Sequence, residues 1–359
     1  MHYIKKHLKA FMDMDGLSGF EEPIANYIRD EWKTLVDEVT TTKTGSVHGI
    51  KIAKKASSKG RSGRSMMIVT HMDAIGMMVT GIDEGFLHFT DVGGIDQRIL
   101  PGTPVLVHGT AKNGSPKEFE GLVVAPHPRS MPNVTNGSIP IGELLVDIGL
   151  NHAEATEYIQ IGDLVSFNTH PFEHSEDIIS GHSADNRASV TALTHFLKSS
   201  VNKTFDWTII GAATSQEEVS FAGAYTSSKM ANPDLAIVID VTFAKGPGSS
   251  DWRVFQSGKG ITLGLGPNIH TGFMRRAMTI AEQNEIPVSL EPMPRHSGTD
   301  AYAVQVANNG IPTIVIGIPL KYMHTPVEMV NLQDIKRVSK LLSAIADELD
   351  EEFLQEISW

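Results

Sequence analysis

Four short apolar runs constrain the fold of this chain more than any other feature of its sequence. They are rich in β-branched residues, do not alternate with polar positions, and cover residues 65–70, 207–215, 235–239 and 311–319. Runs of this kind are typical of strands that are buried on both faces, and such strands belong to parallel sheets covered by helices. The sequence therefore predicts an α/β fold.

Residues that can bind a metal follow each of the four runs. They are His71 and Asp73 after the first run, Glu217 and Glu218 after the second, Asp240 after the third and His324 after the fourth. Open α/β sheets carry their chemistry beyond the carboxyl ends of the strands, so we expect these side chains to lie close together. Imidazole and carboxylate ligands without thiolate suit zinc, cobalt or manganese. The pattern therefore predicts a metalloenzyme.

The domain organisation follows from a change in pattern along the chain. A chain of 359 residues exceeds the length at which one hydrophobic core usually keeps growing, so we expect two domains. Residues 1–73 and 176–359 alternate helical and strand patterns, whereas residues 74–175 consist of short strands separated by Gly, Pro and Asp. The second pattern is typical of a small β-barrel or sandwich. We therefore predict an α/β domain that is interrupted by a β-rich insert.

The helical patterns that we identify lie in the α/β part. Ile4, Leu8 and Phe11 mark one face of a first helix, and further helical patterns cover residues 20–35, 186–199, 271–284, 300–309 and 333–356.

Composition excludes several classes of protein. A net charge of -12 opposes binding to nucleic acid, and no apolar stretch approaches the roughly 20 residues that cross a membrane. The first residues contain no signal-peptide core, and the chain has no cysteine, so we expect a cytoplasmic protein without disulfides. The basic segment at residues 54–64 has the Ser/Gly content of a flexible surface turn rather than that of a phosphate site.

Each candidate ligand also has an ordinary structural explanation. Glu217 and Glu218 could form the solvated first turn of a helix, where carboxylates favour the helix dipole. Asp185 could be only the N-cap of the helix that follows it. A lone His71 after a strand is often structural, but Asp73 could accept its second ring N–H and so fix the tautomer that binds metal. The metal hypothesis depends on all these residues occurring together.

The motifs carry a resemblance to a known family. They are, in order, His71-Met-Asp73, Asp185-Asn-Arg187, Gln216-Glu-Glu218, Asp240-Val-Thr242, Gly298-Thr-Asp300 and Tyr322-Met-His324. Nearly the whole chain resembles metallopeptidase family forty-two, which includes glutamyl, deblocking and tetrahedral (TET) aminopeptidases and some members labelled endoglucanase. The resemblance implies a zinc-exopeptidase-like, mostly parallel sheet flanked by helices, with an inserted small β-barrel domain.

The resemblance also implies a set of roles for the site. It implies two divalent metal ions per subunit, zinc or cobalt with manganese possible, bridged by Asp185. The other ligands would be His71 with Glu218 or Asp240 at one end, and His324 on the opposite metal. Glu217 would be the general base, assisted by Asp73 beside His71. The substrate-pocket candidates are Gly298, Thr299 and Asp300, and a cis peptide is expected between Asp185 and Asn186.

The implied activity is removal of N-terminal residues from short peptides by a metal-activated water. The implied assembly is a homo-oligomer, with a dodecamer built from dimers through the residues of the insert. Two alternatives stay open: a glycoside hydrolase of the endoglucanase type, and a non-catalytic relative that binds peptides. Ala74, Ala222 and Lys321 depart from the usual pattern of the family, so substrate preference and subunit contacts are open as well.

Overall fold

The computed structural model describes residues 1–53, 63–126 and 138–357. Most of the basic segment predicted to be a surface turn, residues 54–62, therefore lies outside the described residues.

The described residues form ten α-helices and seventeen strands. The helices are α1 (His2–Met12), α2 (Glu22–Trp32), α3 (His152–Tyr158), α4 (Ala184–Ser199), α5 (Glu217–Ser220), α6 (Ala222–Ala231), α7 (Thr271–Gln283), α8 (Ala301–Gln305), α9 (Leu332–Glu348) and α10 (Phe353–Glu356). The strands are β1 (Glu38–Thr41), β2 (Val47–Lys51), β3 (Ser65–His71), β4 (Gly76–Asp83), β5 (Phe86–Val92), β6 (Pro104–Thr110), β7 (Pro116–Val124), β8 (Leu145–Asp147), β9 (Leu164–Phe167), β10 (Phe172–Glu173), β11 (Ile178–Gly181), β12 (Thr208–Thr214), β13 (Leu235–Phe243), β14 (Ile261–Leu265), β15 (Val288–Pro292), β16 (Thr313–Lys321) and β17 (Glu328–Asn331).

The larger sheet has a parallel centre made of the four apolar runs. Its strands lie in the order β1-β2-β12-β3-β13-β16-β17-β11-β10, with β14 and β15 branching from β16. The four central strands β12, β3, β13 and β16 run parallel, as the lack of alternation in their sequences predicts. Except for the parallel pair β14–β15, the remaining pairs in this sheet are antiparallel. The predicted α/β class is confirmed.

Helices cover this sheet and bury its centre. The central strands β3, β12 and β16 are buried at nearly every position, which requires helices on both faces. Helix α4 packs against the central strands and lies between α1 and α9. The predicted apolar face of α1 is fully buried in this core at Ile4, Leu8 and Phe11. No described helix is both long enough and apolar enough to cross a membrane.

The insert folds as a closed barrel with its own core. Its six antiparallel strands follow the order β4-β5-β8-β7-β6-β9, and β9 closes the barrel against β4. Strand β6 alternates buried and more exposed positions, with Val105 and Val107 pointing into the barrel. The β-barrel that the spacing of short strands predicts is therefore present. The exact division into residues 74–175 and the rest of the chain stays a prediction.

Some predicted element boundaries are wrong for local reasons. The helix expected at 333–356 is broken after Glu348, because the Asp350 side chain accepts the backbone N–H groups of Glu352 and Phe353 and starts α10. The helix expected at 300–309 ends at Gln305, ahead of Asn308 and Gly310, which both have positive φ. Helix α6 was not predicted, and neither was α3, which lies within the insert and begins at the capping box of Asn151 and Glu154.

Candidate metal centre

The predicted ligands converge at the carboxyl ends of the central strands. His71 is the last residue of β3, and Asp240 lies near the end of β13. Glu217 and Glu218 open α5 directly beyond β12, and His324 follows β16. Because these four strands run parallel, their ends meet at one edge of the sheet. The fold therefore brings together side chains that are separated by as many as 253 positions in the chain.

Asp185 lies between two histidines and offers one oxygen to each. Its Oδ1 is 3.2 Å from His71 Nε2, and its Oδ2 is 3.5 Å from His324 Nε2. Asp240 Oδ1 is 3.7 Å from the same nitrogen of His71, and Glu218 Oε2 is 3.5 Å from that of His324. These residues form two groups, each with three donors within 4.8 Å of one another: His71, Asp185 and Asp240, and Asp185, Glu218 and His324. Of the two histidines, Asp240 groups with His71 alone, whereas Glu218 groups with His324 and also, together with Glu217, with His71.

The start of α4 holds Asp185 in place. The peptide bond between Asp185 and Asn186 is cis, which confirms the sequence-based prediction. The side-chain amide of Asn186 donates to the carbonyl oxygen of Ile239, the residue before Asp240. Arg187 is fully buried and donates to the carbonyl oxygens of Phe11 and Gly16. The Asp185-Asn-Arg187 motif thus ties the helix to the end of β13 and to the N-terminal segment.

Asp73 differs from its predicted role in one respect. The His71 ring nitrogen Nδ1 is 3.2 Å from the main-chain carbonyl oxygen of Asp73, and the carboxylate oxygen Oδ1 is further away, at 3.5 Å. The Asp73 carboxylate instead accepts the backbone N–H groups of Glu217 at 3.0 Å and Glu218 at 3.1 Å. Because these two short contacts engage both carboxylate oxygens, Asp73 orients the Glu217-Glu218 turn in addition to facing His71.

Two positioning residues were missed by the sequence analysis. Glu328 accepts the backbone N–H of Asp185 at 3.0 Å with one oxygen and that of His324 at 2.9 Å with the other. Glu21 accepts the backbone N–H of Gln216 at 3.0 Å. The only signal in the sequence was that Glu328, an acidic residue, begins a short strand, and its side chain is buried in the structure. Glu328 links two candidate ligands that come from different elements.

Burial and mutual repulsion dominate the electrostatics of the centre. Burial, with repulsion from Asp240, raises the pKa of Glu217 to about 11 despite the opposing influence of His71. Burial likewise raises the pKa of Glu218 to about 8, with Asp185 adding repulsion. Although burial raises the pKa of Asp185, hydrogen bonds from His324 and His71 hold it well below its usual range. Buried carboxylates at this density need cations to offset their repulsion, so the donor set fits divalent metals.

A cavity of about 390 Å³ opens onto these residues. Gly298 and Thr299, two of the predicted pocket residues, line it together with Ser297. Asp300, the third, is buried and accepts a hydrogen bond from Thr214, and burial raises its pKa to about 7. Its charge raises the pKa of Glu217, so Asp300 lies close behind the centre.

Comparison with known proteins identifies the family. A statistical model of the family described as M42 glutamyl aminopeptidase matches residues 49–341. The lysyl aminopeptidase of Pyrococcus furiosus is 32% identical over 348 residues, which cover 95% of this chain and 96% of that protein. The TET aminopeptidase from the marine sediment archaeon Thaumarchaeota archaeon SCGC AB-539-E09 superimposes with a TM-score of 0.89 at 25% identity, covering 99% of both chains.

A further solved structure is that of the TET1 peptidase of Pyrococcus horikoshii, which can assemble into a tetrahedron or a large octahedral shell. It superimposes with a TM-score of 0.81 at 30% identity, covering 96% of this chain and 100% of that chain. The family model spans well over half of the sequence, and the similarity to P. furiosus lysyl aminopeptidase extends over nearly all of it. With its buried cluster of histidines and carboxylates, this chain belongs to the M42 glutamyl aminopeptidase family of metallopeptidases.

Proposed function

We propose that this protein is a dinuclear metal aminopeptidase that removes N-terminal residues from short peptides. The observation that carries the proposal is Asp185, whose two carboxylate oxygens face His71 and His324 separately. Asp240 completes the first group and Glu218 completes the second. A carboxylate shared between two donor groups is what two neighbouring cations require to offset their repulsion. Zinc or cobalt suits these donors, and manganese is also compatible with them.

The two metals would supply Lewis-acid polarisation of the peptide carbonyl and would lower the pKa of a bound water. Glu217 is assigned as the general base. Its Oε2 lies 3.9 Å from His71 Nε2, and it borders the cavity. It groups with His71 and Glu218 but not with the shared Asp185. It takes the proton from the attacking water and then delivers it to the leaving amine. Asp73 holds the backbone of Glu217 in position for both transfers.

The wall formed by Gly298 and Thr299 is assigned to substrate contact. Both residues line the cavity beside the metal groups, and Gly298 has a positive φ of 69°, which a residue with a side chain rarely adopts. The loop can therefore bring its backbone close to a bound peptide. Asp300 lies behind this wall, and its charge contributes to the raised pKa of Glu217.

The barrel is assigned to self-association, and a dodecamer built from dimers is the proposed assembly. The supporting facts are that the barrel has its own core and that a relative of similar fold, P. horikoshii TET1, assembles into closed shells. A closed assembly would limit substrates to short, unfolded peptides.

One experiment separates this function from its alternatives. Purified protein is incubated with aminoacyl fluorogenic substrates and with soluble glucans, each with added cobalt or zinc and with chelator. We expect hydrolysis of aminoacyl substrates that chelator abolishes and metal restores. Metal-independent release of reducing sugar would instead support a glycoside hydrolase, which needs two carboxyl groups and no metal. Absence of turnover on every substrate would support a peptide-binding relative without activity.

A further inference from the structure

One carboxylate lines the cavity of the metal centre without belonging to any of its donor groups. Glu291, in β15, borders the same cavity of about 390 Å³ as His71, Asp240 and Glu218. It does not occur in any of the metal-binding groups found among the described residues. Glu291 therefore has no role in the function proposed above, and its position needs a separate explanation.

Two hydroxyl groups and one glycine fix the Glu291 side chain. Thr242 donates to its Oε1 and Thr262 donates to its Oε2, both at 2.6 Å. The carboxyl group extends over Gly317 of β16, where an added Cβ would clash with Thr262 Oγ1 and lie 3.1 Å from Glu291 Oε2. The absence of a side chain at Gly317 thus leaves space for the Thr262 hydroxyl that holds the carboxylate. Glu291 is held in one place rather than being free to turn toward solvent.

No basic group in the described part of the chain balances this carboxylate. Among the residues that the structure describes, the neighbours that influence Glu291 are the two threonine hydroxyls and the repelling Asp240, and no lysine, arginine or histidine pairs with it. Each carboxylate oxygen can accept two hydrogen bonds and receives one from a threonine, so each can accept another from a ligand in the cavity. Burial raises the pKa of Glu291, because the ionised carboxylate is held here without a cation at a cost in free energy. A cationic ligand would remove that cost.

The Glu291 carboxylate lies on the same side of the cavity as Asp240. Glu291 contacts Thr242, two residues beyond Asp240 on the same face of β13, and extends over Gly317, the partner of Asp240 in β16. A flexible four-carbon stem with a terminal ammonium group can carry its charge from the metal groups to a carboxylate placed there. Phe243, Met293 and Val315 line the same cavity and offer apolar surface for the methylene groups of such a stem.

We propose that Glu291 is the specificity-determining residue of this enzyme and receives the cationic side chain of a substrate's N-terminal residue. The enzyme then prefers peptides that begin with lysine or arginine, and it disfavours those that begin with an acidic residue, which Glu291 repels. This inference rests on the proposed aminopeptidase function. It differs from a role for Glu291 in binding the substrate's α-amine, because every substrate has that amine and only some have a cationic side chain.

The test uses the metal-loaded protein and lysyl, arginyl, leucyl, methionyl and glutamyl fluorogenic substrates. Three proteins are compared: the wild type, Glu291→Gln, and the control Glu282→Gln, which removes an exposed carboxylate on α7. We expect the wild type and the control to have the highest kcat/KM for lysyl and arginyl substrates. In Glu291→Gln these two values fall about 10- to 100-fold, the size expected for one charge-assisted hydrogen bond, while the leucyl and methionyl values change less than about threefold.

The other outcomes overturn the inference in distinguishable ways. If the wild type prefers leucyl or glutamyl substrates, Glu291 does not receive a cationic side chain, while the proposed aminopeptidase function stands. An equal loss on all substrates in Glu291→Gln, with normal metal content, assigns the carboxylate to the α-amine instead. Absence of hydrolysis of all five substrates by the wild type overturns the proposed function and this inference together. Retained leucyl activity in the variant shows that it is folded.

Discussion

Glu217 and Glu218 are chemically identical neighbours with different surroundings. Glu218 reaches His324, with 3.5 Å between Oε2 and Nε2, whereas Glu217 lies 3.9 Å from His71 and beside the open cavity. Both backbone N–H groups bind the Asp73 carboxylate, so the turn that carries them is fixed as one unit. The two side chains therefore differ in geometry rather than in chemistry, and single substitutions can distinguish the proposed ligand from the proposed base.

The substitution Glu217→Gln tests the base. It removes the proton acceptor but keeps the size of the side chain, so we expect kcat to fall about 10²- to 10⁴-fold with two metals still bound. Metal analysis and steady-state kinetics of the same sample give both quantities. The matched variant Asp240→Asn removes a proposed ligand and should lose metal as well as activity. Loss of metal from Glu217→Gln would show that Glu217 is a ligand rather than the base. A nearly normal kcat would show that Glu217 is not the base.

The substitution Glu328→Gln tests the residue that holds two ligands at once. A glutamine keeps only one acceptor oxygen, so it cannot bind the backbone N–H groups of both Asp185 and His324. We expect metal affinity to fall about 10- to 100-fold, as it does for partners that orient ligands elsewhere, with kcat largely restored at saturating metal. Metal titration followed by activity measures this, with the exposed Glu143→Gln as control. An unchanged titration would show that Glu328 has no positioning role.

At the level of elements, the parallel centre of the sheet was predictable because its signal is local. Strands β3, β12, β13 and β16 are apolar at consecutive positions, which indicates burial on both faces of the sheet. Because sites in open α/β sheets lie beyond the carboxyl ends of the strands, the strand positions then predict where His71, Glu217 and Asp240 meet. Each of these steps uses only neighbouring residues.

Features that depend on distant contacts were not predictable in this way. Glu328 positions residues that are 143 and 4 positions away, and nothing near it in sequence specifies the former. Helix α6 has few strongly apolar residues, so its periodicity is weak, and it is defined by packing against β12 and α8. The branch of β14 and β15 depends on Gly317 of β16, because a side chain at this position would clash with Thr262 of β14.

The raised pKa values of Glu217 and Glu218, at the turn from β12 into α5, predict how the stability of the metal-free protein depends on pH. A carboxyl group whose pKa is higher in the folded than in the unfolded protein stabilises the fold below its unfolded pKa, and that contribution is lost as pH rises through the folded pKa. Glu218 moves in this way from 4.5 to about 8, and Glu217 from 4.5 to about 11. We therefore expect the Tm of chelator-treated protein to fall as pH rises from 4.5 to about 8.

Metal should remove most of this fall, because divalent cations bind the ionised carboxylates of the folded state. Differential scanning calorimetry at a series of pH values, with and without added cobalt, makes the comparison. A Tm of the metal-free protein that rises steadily across this interval would contradict the expected sign.

For the whole molecule, the barrel is joined to the centre by a very short link. Strand β4 begins at Gly76, three residues after Asp73, so the barrel continues directly from a residue that orients Glu217 and Glu218. Its six strands close on themselves and leave no free sheet edge, so subunits cannot join by extending the barrel with another strand. In the proposed oligomer, contacts made by the barrel would use its side chains and loops.

We expect light scattering of metal-loaded protein at micromolar concentration to give a mass of twelve times 39.0 kDa. Removing the barrel contacts by charge substitutions on its outer face should yield smaller species that retain activity on aminoacyl substrates. A stable dimer would contradict the dodecamer alone, whereas a mass of one chain would contradict self-association altogether.

The barrel also has a consequence for the order of folding. All its strands lie between residues 76 and 167, whereas β3 must pair with β12 and β13, which come more than a hundred residues later. Local pairings close shorter loops and form sooner. We expect barrel amides to become protected first in pulse-labelled hydrogen exchange during refolding, and simultaneous protection of β3 would contradict this. During synthesis on the ribosome, the barrel can then fold before His324, the last of the proposed ligands, has been added, so we expect the growing chain to have no peptidase activity.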